Sequence, residues 1–144
     1  MRIITSYGLV MLIILLAVGI TCKAVIIHHN DVTIIIEKSE ICNAHYAYGM
    51  NRIYIGWCSD WDMCDFKFVL THELCHHYLH TKDEVLVNYC TFEVLKQVDY
   101  ECYVKRVAEE IKIFLDCLYN YLDTSIEYMC WENPYLHGML LTLE

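Results

Sequence analysis

The stretch from Phe66 to His80 constrains this chain more than any other. Inside it, His72-Glu73-Leu74-Cys75-His76 forms a complete HExxH pattern. On a helix, positions four apart lie one turn above each other on one face, so both imidazoles can bind one ion. Glu73 stands beside His72 on the rim of that face. There it can take a proton from a water on the ion without being a ligand itself. Neutral imidazole suits zinc, which lowers the pKa of its bound water to about 7. Phe66, Phe68, Val69, Leu70, Leu74, Tyr78 and Leu79 supply the apolar surface of a buried helix. From Leu70 to Tyr78 the one charged residue is Glu73. A solvated helix would rarely leave one carboxylate alone among such neighbours, so a chance match on a histidine-rich amphipathic helix is the weaker explanation.

The N-terminus carries the second strong signal. From Ile3 to Cys22 there is no charged residue, and Arg2 and Lys23 flank the run. Those residues are long enough to cross a bilayer as a helix. They equally fit a secretory signal with Tyr7–Ile20 as its apolar centre and cleavage after Ala24. The expectation is therefore a leader or anchor over residues 1–23 and a single domain over 24–144, outside the cytosol. Cysteine usage agrees. Nine cysteines are present, and eight of them follow the leader, an even number that suggests disulfides without revealing their pairing. The absence of any CxxC pair argues against a cysteine-rich structural zinc site. Charge is 10 Lys+Arg against 19 Asp+Glu. No basic run follows from it, so nucleic acid is not an expected partner.

Between leader and motif, Ala24–His28 and Val32–Glu37 are rich in β-branched residues, with Asn30-Asp31 as the turn of a hairpin. His28-His29 has no acidic or cysteine partner at ligand spacing and reads as a solvated strand end. Ser39–Met50 gives no firm element. Gly49-Met50-Asn51 is a turn into the strand Arg52–Trp57, and Cys58–Cys64 is a loop. The motif helix should run from about Asp65, as N-cap, to about His80. Eight residues of helix rise about 12 Å, so His80 cannot share an ion with His72. His77 and His80 are then surface groups or supports.

After the motif, Asp83–Gln97 has helical spacing. Tyr100–Leu122 is a second helix, with Asp99 as its N-cap and an apolar stripe through Tyr103-Val104, Val107-Ala108, Ile111, Phe114-Leu115, Leu118 and Leu122. The tail breaks at Asn133-Pro134. Twelve tyrosines single out no hydrogen-bond donor to a reacting group.

Val69-Leu70-Thr71-His72-Glu73-Leu74-Cys75-His76-His77-Tyr78 resembles the active-site helix of zincin metallopeptidases, with Cys75 where many relatives have glycine. The resemblance covers roughly residues 50–110. In the gluzincin branch the third zinc ligand is a glutamate on a downstream helix, followed by small or apolar residues at +3 and +7. Glu101, with Val104 and Ala108 behind it, resembles that element and lies 25 residues past His76. The arrangement is similar to the small ImmA/IrrE-type enzymes. Asp99 and Glu93 are the alternatives to Glu101. A carboxylate on an apolar helix face is costly unless it meets a cation, which favours Glu101 as a ligand.

The resemblance implies an α+β zincin-like fold, in which a small N-terminal β-sheet packs on the HExxH helix and a helical C-terminal half follows. It implies a zinc peptidase with His72, His76 and Glu101 on Zn²⁺, Glu73 as base, and a peptide or protein as substrate. The strand Tyr54–Trp57, or a neighbour, would line its cleft. The alternative is a zincin-fold regulatory or binding protein that keeps the metal and hydrolyses little.

Overall fold

The computed structural model describes residues 24–121 and 130–143. The hydrophobic segment 1–23, expected as signal or anchor, lies outside the described residues. Among those described, no helix is long and apolar enough to cross a membrane. Among the described residues the architecture is α+β, with a four-stranded mixed sheet and four main helices. It divides into two compact units, one ending at Thr81 and one beginning at Lys82.

The first unit holds the sheet. Strands β1 (Ala24–His29) and β2 (Val32–Lys38) form the expected antiparallel hairpin. Asn30, at φ 51°, takes the left-handed conformation its tight turn requires. Strand β3 (Asn43–Ala47) falls within the stretch that gave no element from sequence, and β4 (Arg52–Trp57) is where the sequence predicts it. The order is β1-β2-β4-β3, with β2 and β4 parallel and β3 antiparallel to β4. Alternation puts Ile27, Val32, Ile34, Ile36, Tyr46, Ile53 and Ile55 into the core. Burying one such side chain fully stabilises by roughly 1.5–3 kcal/mol.

Helix α1 (Met63–Leu79) packs against the β3 and β4 side of this sheet. Its start corrects the sequence expectation. Asp62, not Asp65, is the N-cap, and its carboxylate accepts from the backbone N–H of Cys64 and Asp65. Asp65 reaches back to the backbone N–H of Asp62 at 3.0 Å, completing a capping box. Phe66 stacks on Trp57 with ring centroids 4.9 Å apart, which fixes the first turn against β4.

The second unit is helical: α2 (Glu84–Val98), α3 (Tyr100–Tyr121) and α4 (Pro134–Leu140). Asp83 caps α2, and Asp99 accepts from the N–H of Cys102 to cap α3. Asn133-Pro134 opens a helix instead of breaking one. The Asn133 side chain accepts from the Tyr135 N–H, and proline fits the first turn because its missing N–H has no intrahelical partner there. Helix α4 lies on α2 closely enough that a Cβ on Gly138 would fall 2.7 Å from the Tyr89 nitrogen. The apolar stripe expected on α3 is buried only in part, at Tyr103, with Val107, Phe114 and Leu118 half-buried. Its members Val104, Ile111 and Leu115 are exposed, while Cys102 and Glu110, outside the stripe, are buried. Glu110 is held there by Arg106 at 3.1 Å, and burial pushes its carboxyl pKa up.

All eight cysteines among the described residues are in disulfides. Cys42–Cys58 ties the start of β3 to the end of β4, and Cys117 of α3 is bonded to Cys130 in the second unit.

Candidate metal centre

Every residue from Leu70 to His77 is buried, which no amphipathic surface helix would show. Within that run the HExxH residues stand apart. His72 and Glu73 keep 7% exposure and His76 keeps 6%, whereas Leu70, Thr71, Leu74 and Cys75 keep none and His77 keeps 1%. Three polar side chains therefore border solvent in an otherwise sealed stretch of the helix.

The two imidazoles converge as the helical spacing predicts. Nε2 of His72 lies 3.1 Å from Nε2 of His76, and the rings meet edge to face with centroids 4.8 Å apart. Two nitrogens bound tetrahedrally to zinc at about 2.0–2.1 Å would stand about 3.3–3.4 Å apart. The observed separation is within a few tenths of an ångström of that value, so the pair fits one ion with almost no rearrangement.

The tautomer of His76 is set from the other side of its ring. Nδ1 lies 2.8 Å from the Thr81 carbonyl oxygen, which can only accept, so Nδ1 carries the proton and donates. In the neutral ring Nε2 is then the unprotonated nitrogen, the form a metal needs. The backbone makes this possible at His80, the C-cap of α1. Its left-handed conformation, φ 51°, turns the chain so that Thr81 comes back under the last turn. His80 itself is exposed. Tyr48, in the turn between β3 and β4, adds a third group. Its hydroxyl lies 2.8 Å from His76 Nδ1 and donates to the same Thr81 carbonyl.

His77, next in sequence, is engaged elsewhere. Nδ1 is 3.0 Å from the Tyr46 hydroxyl, and Nε2 is 3.2 Å from an Asp31 carboxylate oxygen. That hydrogen bond holds the Asp31 carboxyl below its ordinary value. Burial, with Asp31 nearby, pushes the Tyr46 hydroxyl pKa up.

Of the carboxylates singled out in the sequence, Glu73 is on α1 between the two histidines. Glu101 occupies the first turn of α3 and is exposed, so a buried carboxylate in need of a cation does not describe it. Asp99 serves as a cap, and Glu93 lies 3.8 Å from Lys96. Glu84, the first residue of α2, is a further carboxylate close to His76 along the chain. Sequence reasoning passed over it because an acid at a helix start is ordinarily explained by the helix dipole alone. Its signal was its place, eight residues past His76. Tyr48 and Thr81 left no local signal, since their part depends on the chain turning back.

Comparison of the chain with known protein families, with curated proteins and with solved structures finds no match. The α+β unit with its histidine pair therefore stands on its own geometry.

Proposed function

We propose that this chain is a zinc-dependent peptidase of zincin type, secreted or membrane-anchored, acting on a peptide or protein. The observation that carries the proposal is the 3.1 Å approach of the two Nε2 atoms within a buried stretch of helix, Leu70 to His77, where His72, Glu73 and His76 keep the most exposure. Imidazole and carboxylate donors suit zinc. When bound, the ion would supply Lewis acidity, polarising a carbonyl and acidifying a water molecule. His72 and His76 would hold it, with the Thr81 carbonyl keeping His76 in the metal-ready tautomer. Glu73 would accept the proton of the attacking water and pass it to the leaving amine.

The third ligand is a carboxylate with two candidates. Glu101 is the one the zincin resemblance implies. Glu84 follows from chain connection alone. Three residues past Thr81, its Cα cannot be farther than about 11 Å from that of Thr81, whatever the second unit does. Eight disulfide-bonded cysteines support a location outside the cytosol.

The test is peptide cleavage by zinc-loaded protein on a mixed peptide library. Wild type should cleave. Glu73→Gln should keep its zinc and lose about 10²–10⁴-fold in rate, because the base is gone while the ligands remain. Zinc-loaded wild type that cleaves nothing would overturn hydrolysis and leave a metal-holding protein.

A further inference from the structure

Tyr48 has no place in the chemistry outlined above, yet it touches the one group that orients a ligand. Its hydroxyl stands 2.8 Å from His76 Nδ1 and donates to the Thr81 carbonyl, the oxygen that also accepts from Nδ1 at 2.8 Å. We propose that Tyr48 is a positioning residue for the metal centre: it clamps the Thr81 carbonyl so that His76 presents an unprotonated Nε2 toward His72. This rests on the proposal that His72 and His76 bind a metal.

The geometry excludes a direct part in the reaction. Nδ1 and Nε2 are on opposite sides of the imidazole, so the hydroxyl faces away from the edge that meets His72. It cannot reach a carbonyl bound there. What it can control is the carbonyl behind the ring. Thr81 lies just past the left-handed C-cap, outside the helical hydrogen-bond ladder, and so depends on tertiary contacts to hold its direction. A carbonyl that swings away leaves His76 without the acceptor that selects its Nδ1–H tautomer. Groups that orient metal-bound histidines in this way typically matter by about 10–100-fold in metal affinity. Tyr48 reaches the site from the β3–β4 turn, 28 residues earlier in the chain. Its ring packs edge-on against Tyr46, with centroids 4.7 Å apart. The sheet thus sets where the hydroxyl stands, and the helix end responds to it.

Tyr48→Phe keeps the ring and removes only the hydroxyl. Zn²⁺ titrated into metal-free wild type and variant, followed by calorimetry, should give one site in each, at least about 10-fold weaker in the variant. Ring ¹⁵N shifts of metal-free wild type should show His76 protonated at Nδ1, a readout that general loosening of the fold would not produce. Equal zinc affinity in wild type and Tyr48→Phe would overturn the role of Tyr48 and leave the metal site standing. An Nε2–H tautomer in wild type would overturn it even if the variant failed to fold. Wild type that takes up no zinc would overturn the metal site, and the inference with it.

Discussion

His76 and His77 are adjacent, on the same helix and both buried, yet their surroundings give them opposite work. His76 donates from Nδ1 to a backbone carbonyl and turns Nε2 toward a second imidazole 3.1 Å away. His77 has one nitrogen on the Tyr46 hydroxyl and the other on Asp31, and meets the His80 ring only edge to face with centroids 5.9 Å apart. A carbonyl behind a ring selects a tautomer and leaves the other edge to a metal. A phenol and a carboxylate on the two edges fasten the ring between sheet and helix. Residue type is the same and both rings are buried, so the difference lies chiefly in the partners, and the pair serves as an internal control.

The sharpest way to break that comparison is to remove each ring. His76→Ala should abolish zinc binding at micromolar metal, since the remaining ligands bind weakly. His77→Ala should keep the zinc stoichiometry and instead cost roughly 2–4 kcal/mol of folding stability, from a buried cavity and the lost hydrogen bonds to Tyr46 and Asp31. Metal analysis and denaturant unfolding separate the two. Zinc loss in His77→Ala at unchanged stability would reverse the assignment.

Next in size is the third ligand. Removing a charged ligand should weaken zinc binding by about 10-fold or more and leave the fold intact. Glu84→Gln and Glu101→Gln, titrated side by side, should show that loss in one and not in the other. Equal affinity in both variants and wild type would mean that the third donor is a different group, with Asp99 and Glu93 next to test.

The smallest effect is on the His77 side. The hydrogen bond from His77 holds Asp31 below the ordinary carboxylate value of 3.8. For a depressed carboxylate the stabilisation is fully present above about pH 4 and is lost as the pH falls through the folded-state value. Because the Asp31 side chain is 64% exposed, solvent screening keeps the effect under about 1 kcal/mol. Thermal unfolding at pH 6 and pH 3 should show wild type losing more stability on acidification than Asp31→Asn. Identical losses would detach Asp31 from His77.

Much of the frame was legible in the sequence because local rules govern it. The β-branched runs around Asn30-Asp31 read as a hairpin, Arg52–Trp57 read as a strand, and Asp83 and Asp99 stand where helices begin. Strand β3 was not legible. Asn43 and His45 are polar, and Tyr46 is the one strongly buried residue on this short edge. The cap of α1 was misplaced by three residues because a capping box puts an acid at both ends of its first turn. The stripe from Tyr103 to Leu118 has helical period but is buried only at Tyr103, since periodicity marks a face without saying what packs on it. In the site, His72, Glu73 and His76 could be read from spacing alone. Tyr48 could not, because 28 residues and a strand turn separate it from the ring it touches.

The central claim is that His72 and His76 hold one zinc ion through Nε2, with oxygen donors completing the site. X-ray absorption at the zinc edge of purified, zinc-loaded protein tests it most directly. The account predicts a first shell of nitrogen and oxygen at about 2.0–2.1 Å with imidazole outer-shell scattering and no sulfur, because every cysteine among the described residues is in a disulfide. A sulfur shell at about 2.3 Å, or a spectrum unchanged by His76→Ala, would contradict it.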